Sequence, residues 1–236
     1  MKIDVLTLFP EMFDTFIQTS IIGRAVNKKN LIEINAINIR DFSKDIHKKT
    51  DDAPYGGGSG LVMTFQPIYD AYLHAAGFDE DSQNEERAAN KPHVVYLSPQ
   101  GAVLTHKKCE ELSGIQHLIL LCGHYEGVDE RIIETIVDEE ISIGDYVLTG
   151  GELPAMVLID SVARLIPGVI SQGSAVVESF TQGLLEYPHY TRPEIVNGKA
   201  VPEILLSGHH KNIEKWREEQ SLIRTQRKRP DILNLD

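Results

Sequence analysis

The run "HLILLC", from His117 to Cys122, is a short and nearly continuous apolar segment. The runs "HVVYLS" (93–98) and "ISIGDYVL" (141–148) share this character. Runs of this length are typical of strands covered on both faces, as in a parallel sheet. Helical patterns near 104–112 and 129–138 fall between them. The sequence therefore predicts an α/β fold with a mainly parallel sheet and crossover connections.

The N-terminal stretch "KIDVLTLF" (2–9) predicts a further strand. Ile3 and Val5 lie on one face of this strand, and Leu6 and Leu8 lie on the other. An apolar residue on each face is what a strand needs when helices cover both sides of its sheet.

Composition divides the chain further along. "PAMVLIDSVARLIPG" (154–168) is apolar nearly all round and predicts a buried helix that begins at its proline. Residues 78–91 are polar and acidic, which indicates a surface loop. The expected domains are an α/β domain over 1–168, a linker over 169–177 and a small helical domain over 178–236. The last of these carries apolar residues at helical spacing among basic ones.

Bulk properties exclude several classes of protein. Of the 236 residues 42% are hydrophobic and 25% are charged, which suits a globular protein. No apolar run reaches the ~18 residues that a membrane span needs. The N-terminal stretch lacks the features of a secretory signal, and Cys109 and Cys122 lack the spacing of a metal site. We therefore expect a cytoplasmic protein with buried thiols, no membrane partner and no bound structural metal.

Charge is distributed unevenly. The net charge of -12 argues against indiscriminate binding to DNA or RNA. Residues 211–229 nevertheless hold seven basic residues against three acidic ones. This run fits a solvated charged helix, and it also fits a localised contact with a polyanion.

Three glycine-bearing turns follow apolar runs: "YLSPQG" (96–101), "LCGHYEG" (121–127) and "GDYVLTGGELP" (144–154). The phosphate-binding patterns GxGxxG (after a strand) and GxxxxGK[ST] are missing, and so are HExxH and GxSxG. Ligands of open α/β sheets lie beyond the carboxyl ends of the strands. If the three turns converge there, they form a pocket lined by peptide groups. Such a pocket suits a neutral or cationic cofactor, read by its adenine edge, better than a pyrophosphate.

Several long motifs in a fixed order resemble one family. They are "DDAPYGGGSGLVM", "YLSPQG", "LCGHYEGVDER", "SIGDYVLTGGELPAMVLIDSVARLIPGV" and "GLLEYPHYTRPE". Together they resemble the bacterial tRNA (guanine-N1)-methyltransferases, of the SPOUT class, over nearly the whole chain. The resemblance implies a deep trefoil knot at the cofactor site, although the usual rules of chain connection argue against knots.

The resemblance also implies a cofactor, S-adenosylmethionine, held by the three turns. The residues implied to bind it are Tyr96, Leu97 and Pro99 in the first turn, Gly123, Tyr125 and Glu126 in the second, and Ile143, Gly144, Tyr146, Leu148, Gly150, Gly151 and Pro154 in the third.

The implied reaction methylates N1 of the guanosine at position 37 of tRNA, which needs a base for the N1 proton and a positive charge near O6. The family's base is an aspartate in "DSF", where this chain has "ESF", so the base falls on Glu178. Its longer side chain could misplace the carboxylate by ~1 Å, unless the shorter linker compensates or another acid serves. The positive charge falls on Arg164, and Asp160 is placed to pair with it along the helix. His124 stands where some relatives have arginine and is left outside the catalytic set.

The family further implies a homodimer with shared active sites, contact with tRNA through the C-terminal domain, and a magnesium ion during catalysis. The residues expected to contact RNA are Asp51, His189, Arg192, Lys215, Arg217 and Arg224. Two alternatives stay open: an RNA-binding protein of this fold that has lost catalysis, and a knotted methyltransferase that acts on another RNA.

Overall fold

The computed structural model describes residues 1–78, 91–171, 178–181 and 183–234. The chain divides into two compact units, Met1–Ile170 and Ser171–Asp236. The polar loop predicted over 78–91 and the linker predicted over 169–177 lie mostly outside the described residues.

The first unit is built on one parallel sheet. Its strands are β1 (Lys2–Thr7), β2 (Glu33–Asn38), β5 (His93–Val103), β6 (His117–Cys122) and β7 (Glu139–Ser142), and a short antiparallel pair is formed by β3 (Asp51–Asp52) and β4 (Val62–Met63). The order across the sheet is β2-β1-β6-β5-β7, and all four neighbouring pairs are parallel. The predicted α/β class with a parallel sheet is confirmed. The trefoil knot stays a prediction.

Helices cover both faces of the sheet. In this unit they are α1 (Asp14–Gln18), α2 (Ser20–Asn27), α3 (Phe65–Ala76), α4 (His106–Ser113), α5 (Glu130–Ile136) and α6 (Glu152–Ala163), with 3-10 turns at Pro10–Phe13 and Ile39–Phe42. Ile3 and Val5 belong to the core cluster that includes α2, α4 and α6. Leu6 and Leu8 belong to the opposite cluster, with α3 and α5. The predicted two-faced burial of the first strand is therefore confirmed.

Two predicted elements differ from the structure. The strand predicted over 141–148 ends at Ser142, and Tyr146, Val147 and Leu148 after it are exposed, with Val147 83% exposed. The helix predicted from Pro154 begins at Glu152 instead and is buried on one side only, because Leu153 and Val157 are about half exposed. Arg164 caps the C-terminus of this helix rather than lying inside it.

The second unit is small and mainly helical, as predicted. It contains a hairpin of β8 (Ile195–Val196) and β9 (Lys199–Ala200), helices α7 (Glu203–Leu206) and α8 (His210–Lys228), and a 3-10 turn at Pro230–Asn234. The buried hydroxyl of Thr225 accepts a hydrogen bond from the backbone N–H of Leu185 at 2.8 Å. This bond fixes the chain near residue 185 against α8. Of the helices in the described part of the chain, none has both the length and the apolar character of a membrane span.

Candidate functional site

The three glycine-bearing turns surround one cavity at the carboxyl edge of the sheet. Its volume is about 230 Å³. It is lined by parts of residues 96–100, 123–127 and 141–154, and these include all thirteen residues predicted from the resemblance to hold a cofactor. The turns meet because β5, β6 and β7 are adjacent and parallel, so that their carboxyl ends lie at one edge.

The first turn is an excursion from β5 rather than the end of a strand. Leu97 and Ala102 both pair with Ile141 of β7, so residues 98–101 leave the ladder between them. The chain returns at Gly101, where a Cβ would overlap the β7 backbone at Glu140 and Ile141. A side chain at Gly101 is thus excluded by its close approach to the neighbouring strand.

Tyr96, just before residues 98–101, is a buried residue of the cavity lining. A Cβ on Gly123 would lie 2.8 Å from the Tyr96 hydroxyl oxygen, so glycine is needed for the ring and the second turn to pack together. Burial, with a smaller contribution from the charge of Glu140, raises the pKa of Tyr96 to about 12. The phenol therefore stays protonated and serves as a neutral hydrogen-bonding group.

The second turn is fixed by contacts with two other segments. The backbone N–H of Glu126 donates to Leu61 O at 3.0 Å, which fastens the turn to the glycine-rich loop before β4. The isolated antiparallel bridge between His124 and Gly150 fastens it to the third turn. Tyr125 has a φ of +58°, a left-handed conformation uncommon for a non-glycine residue, and its side chain is 43% exposed.

The third turn packs closely against the end of β6 at Gly151, the second glycine of its pair. The N–H of Gly151 donates to Gly123 O at 2.9 Å, and a Cβ on Gly151 would lie only 2.7 Å from Cys122 Cα. Earlier in the turn, the Tyr146 ring packs on Gly144, whose φ is +149°, and its hydroxyl donates to Ile143 O at 3.2 Å. A backbone hydrogen bond thus holds the end of this turn against the second turn, and the Tyr146 side chain orders its beginning.

The lining suits the cofactor that the resemblance implies. Nδ1 of His124 is buried and has no hydrogen-bond partner among the described residues, so it is available to a polar group of a ligand. Peptide groups of the glycine turns can read an adenine edge, and Glu126 adds an acidic residue to the lining, which suits a cationic ligand. A metal ion fits less well: the described residues contain no group of three or more His, Cys, Asp or Glu side chains able to hold one.

The remaining predicted residues are not among those that line this cavity. Arg164 is half-buried at the end of α6, and Asp51 lies in β3. Glu178 belongs to the second unit, where its carbonyl accepts a hydrogen bond from Thr181 N–H at 3.3 Å. Nothing in the geometry of the first unit therefore tests the catalytic pair.

Three of the six predicted RNA contacts meet in the second unit. His189, Arg192 and Arg217 line a cavity of about 660 Å³, whose other lining residues include aliphatic side chains of α7 and α8. The Arg217 guanidinium lies 4.7 Å from the centroid of the Tyr187 ring, and the Tyr187 and His189 rings lie 4.9 Å apart. Lys215 and Arg224 are on α8 but are not among the residues that line the cavity.

Sequence reasoning left out several lining residues. Ser98, Gln100, His124, Gly127, Ile141, Ser142, Val147 and Thr149 also line the first cavity. All of them lie within or beside the quoted turns. The sequence therefore indicated which segments line the cavity, but not every residue in them. The buried pair Thr7 and Glu152 carried no such signal, because its members are 145 residues apart.

The fold and the site define an α/β protein with a cavity, suited to a small molecule, at the carboxyl edge of a parallel sheet. Comparison with known proteins narrows this class. The family model described as "tRNA (Guanine-1)-methyltransferase TrmD" matches residues 1–235, and the chain belongs to this family.

Curated relatives agree over their full lengths. A tRNA (guanine-N(1)-)-methyltransferase of Ruminiclostridium cellulolyticum is 65% identical over 235 residues, which cover 99% of this chain and 97% of the relative. Proteins of the same name from Clostridioides difficile strain 630 and Endomicrobium trichonymphae are 53% and 52% identical. These alignments cover 98% of this chain and 97% of the C. difficile protein, and 99% of both chains for the E. trichonymphae protein.

Proposed function

We propose that this chain is an enzyme that methylates N1 of guanosine in tRNA, at position 37 beside the anticodon, with S-adenosylmethionine as the methyl donor. Membership of the family over residues 1–235 is the observation that carries the proposal. The cavity formed by the three turns supports it, because the thirteen residues that the resemblance assigns to the cofactor all line that cavity.

The cofactor site is proposed to work mainly through the backbone. When bound, S-adenosylmethionine supplies an electrophilic methyl group on a positively charged sulfur. The close packing of Gly123 on Tyr96, and of Gly151 on Cys122, fixes peptide groups that would hold the cofactor. Gly150 is joined to the second turn by its bridge to His124, so the two turns present one continuous surface.

Glu178 and Arg164 are the proposed catalytic pair. Guanine N1 carries a proton and becomes a good nucleophile only when that proton is removed, so we assign the general base to Glu178. Removal of the proton places negative charge on guanine O6, which the guanidinium of Arg164 would stabilise. In the described part of the chain no cluster suits a magnesium ion, and no step is assigned to one.

The second unit is the proposed tRNA-binding domain, over 178–236, with the α/β cofactor domain over 1–168 and the linker over 169–177. Helix α8 contains the predicted basic run almost entirely. The cavity that holds His189, Arg192 and Arg217 combines guanidinium groups with aromatic rings, which are the groups that contact phosphates and unpaired bases.

We further propose a cytoplasmic homodimer in which the two chains share each active site. Exposed apolar side chains near the cavity support a partner surface: Tyr146, Val147 and Leu148 in the third turn, and Leu153 and Val157 on α6, are 39–83% exposed. Apolar residues grouped in this way are typical of an interface between protein chains. Sedimentation at micromolar concentration would test this, and a monomer would contradict it.

A single-turnover assay tests the activity. Transcripts of tRNA with guanosine at position 37 are incubated with excess protein and S-adenosylmethionine labelled in its methyl group, beside transcripts with adenosine at that position. We expect transfer to N1 of the guanosine only. Tight tRNA binding without transfer would favour the alternative of an RNA-binding protein that has lost catalysis. That alternative is motivated by Glu178, which stands where the family has aspartate. Transfer to the transcript without the guanosine would refute the assigned substrate.

A further inference from the structure

Glu152 is a buried carboxylate that the proposed reaction does not use. It is the first residue of α6, directly after Gly150 and Gly151, and it is 3% exposed. Burial of a carboxylate is costly unless hydrogen bonds compensate, although the start of a helix favours negative charge. A charged group at this point therefore calls for a structural partner.

That partner is Thr7, the last residue of β1. Its hydroxyl donates to Glu152 Oε1 at 2.7 Å, and both side chains are buried. The same hydroxyl accepts a hydrogen bond from the backbone N–H of Phe9 at 2.9 Å. Because the hydroxyl both donates and accepts, its position is fixed relative to the end of β1 and to the start of α6.

The other oxygen of Glu152 lies against Gly150, so closely that a Cβ there would overlap it. The ring of His124 borders the same space, with Cδ2 2.8 Å from the Cβ position. Gly150 and His124 line the cavity, whereas Thr7 and Glu152 are not among its lining residues. The hydrogen-bonded pair thus contacts the junction of the second and third turns without being part of the cavity lining.

We propose that Thr7 and Glu152 are positioning residues for the cofactor, which hold the Gly150–Gly151 turn at the correct distance from the second turn. Neither residue lines the cavity, so the role assigned to them is indirect. The inference rests on the proposed use of S-adenosylmethionine, since it assigns the pair to that site. It adds two residues that the family motifs did not single out in this chain.

Binding of S-adenosylhomocysteine, followed by calorimetry, tests the pair without catalysis. This product lacks the positive sulfur, so lost affinity reports the shape of the turn rather than attraction between a cation and a carboxylate. Thr7→Val removes the hydroxyl at nearly constant volume and should weaken binding about tenfold, a fraction of the energy of a hydrogen bond to a charged group. Thr7→Ser keeps the hydroxyl and should bind within about twofold of the unmodified protein.

Thr225→Val is the matched control. Thr225 is also fully buried, and its hydroxyl also donates (to Ser221 O, at 2.7 Å) and accepts, but in the second unit. The Thr225→Val variant should lose thermal stability as Thr7→Val does, but its affinity for S-adenosylhomocysteine should be unchanged. Glu152→Ala should weaken binding too, and Thr7→Val added to it should cause little further loss, because both changes remove the same contact.

The outcomes separate this inference from the proposed function. If the unmodified protein binds S-adenosylhomocysteine and Thr7→Val binds it equally well, the positioning role is refuted while the cofactor assignment stands. Equal losses in Thr7→Val and Thr225→Val also refute it, since they indicate general destabilisation. Absence of binding by the unmodified protein overturns the cofactor assignment itself, and the positioning role with it.

Discussion

Replacement of Gly151 by alanine is the sharpest perturbation of the cofactor site. Gly151 has φ and ψ of -83° and -4°, which any residue adopts, so alanine brings no backbone strain. The added Cβ would, however, lie 2.7 Å from Cys122 Cα and 3.0 Å from Gly123 N. Ordinary contacts between carbon atoms are about 3.5–4.0 Å, so the third turn must move away from β6 by roughly 1 Å.

The cost follows from what the Cβ meets. The three nearest atoms belong to Cys122 and Gly123, and the two closest are backbone atoms that cannot rotate away. Overpacking of this kind costs about 1–3 kcal/mol, and the hydrogen bond from Gly151 N–H to Gly123 O would lengthen as well. We expect a net loss of about 2 kcal/mol, which for a chain of this size lowers Tm by roughly 4–8 °C.

Gly114→Ala provides a matched control. Gly114 has nearly the same backbone conformation, with φ and ψ of -81° and -11°, but the nearest atom to its Cβ is Glu111 O at 3.5 Å. Alanine there should raise the free energy of unfolding by about 0.4–1 kcal/mol, because it restricts the unfolded chain.

Thermal unfolding and calorimetric titration with S-adenosylhomocysteine measure both effects. Gly151→Ala should melt earlier and bind the ligand at least about tenfold more weakly, whereas Gly114→Ala should melt slightly later and bind normally. A Gly151→Ala protein with the Tm and affinity of Gly114→Ala would refute the reasoning, because the close contact between the third turn and β6 would then not constrain the site.

Three further predictions concern other parts of the molecule. Glu178→Gln should lower the single-turnover rate of methyl transfer at least about 100-fold with cofactor affinity unchanged, and full activity would show that the base lies elsewhere. Burial opposes the charge of Asp4, but hydrogen bonds from His117, Lys2 and Asn35 outweigh it and hold the pKa of Asp4 below its usual 3.8. The resulting stability is present above that value and is lost as the pH falls through the lowered pKa. Urea unfolding should therefore show that Asp4→Asn lowers the free energy of unfolding by about 1–3 kcal/mol at pH 7 and by much less at pH 2.5. A loss that is the same at both pH values would contradict this. Arg217→Ala should weaken tRNA binding and lower the slope of log affinity against log salt by about one, and an unchanged slope would exclude a phosphate contact.

The sheet and the meeting of the turns could be predicted because both follow from short-range patterns. Continuous apolar runs such as 117–122 specify strands buried on both faces, and parallel strands bring their carboxyl ends to one edge. A chain that shows three glycine turns after such runs therefore also shows where its cavity lies.

The errors have equally local causes. The apolar residues Tyr146, Val147 and Leu148 are predicted to continue a buried strand, yet in a single chain they are exposed, because an apolar residue type predicts burial without saying what covers the side chain. The start of α6 at Glu152 rather than Pro154 lies within the uncertainty of helix boundaries. The contact between Thr7 and Glu152 could not be foreseen, since no periodic pattern links residues so far apart.

The excursion of residues 98–101 from β5 has a consequence for insertions and deletions. Leu97 and Ala102 both pair with Ile141, so the strand pairing before and after the excursion does not depend on how many residues lie between them. An insertion elsewhere in β5 would turn every later side chain to the opposite face of the sheet. An insertion between Ser98 and Gln100, with Gly101 kept at the point of return, would instead lengthen one rim of the cavity and leave the core unchanged. A change of chain length in this segment would therefore alter the cavity without shifting the register of the sheet.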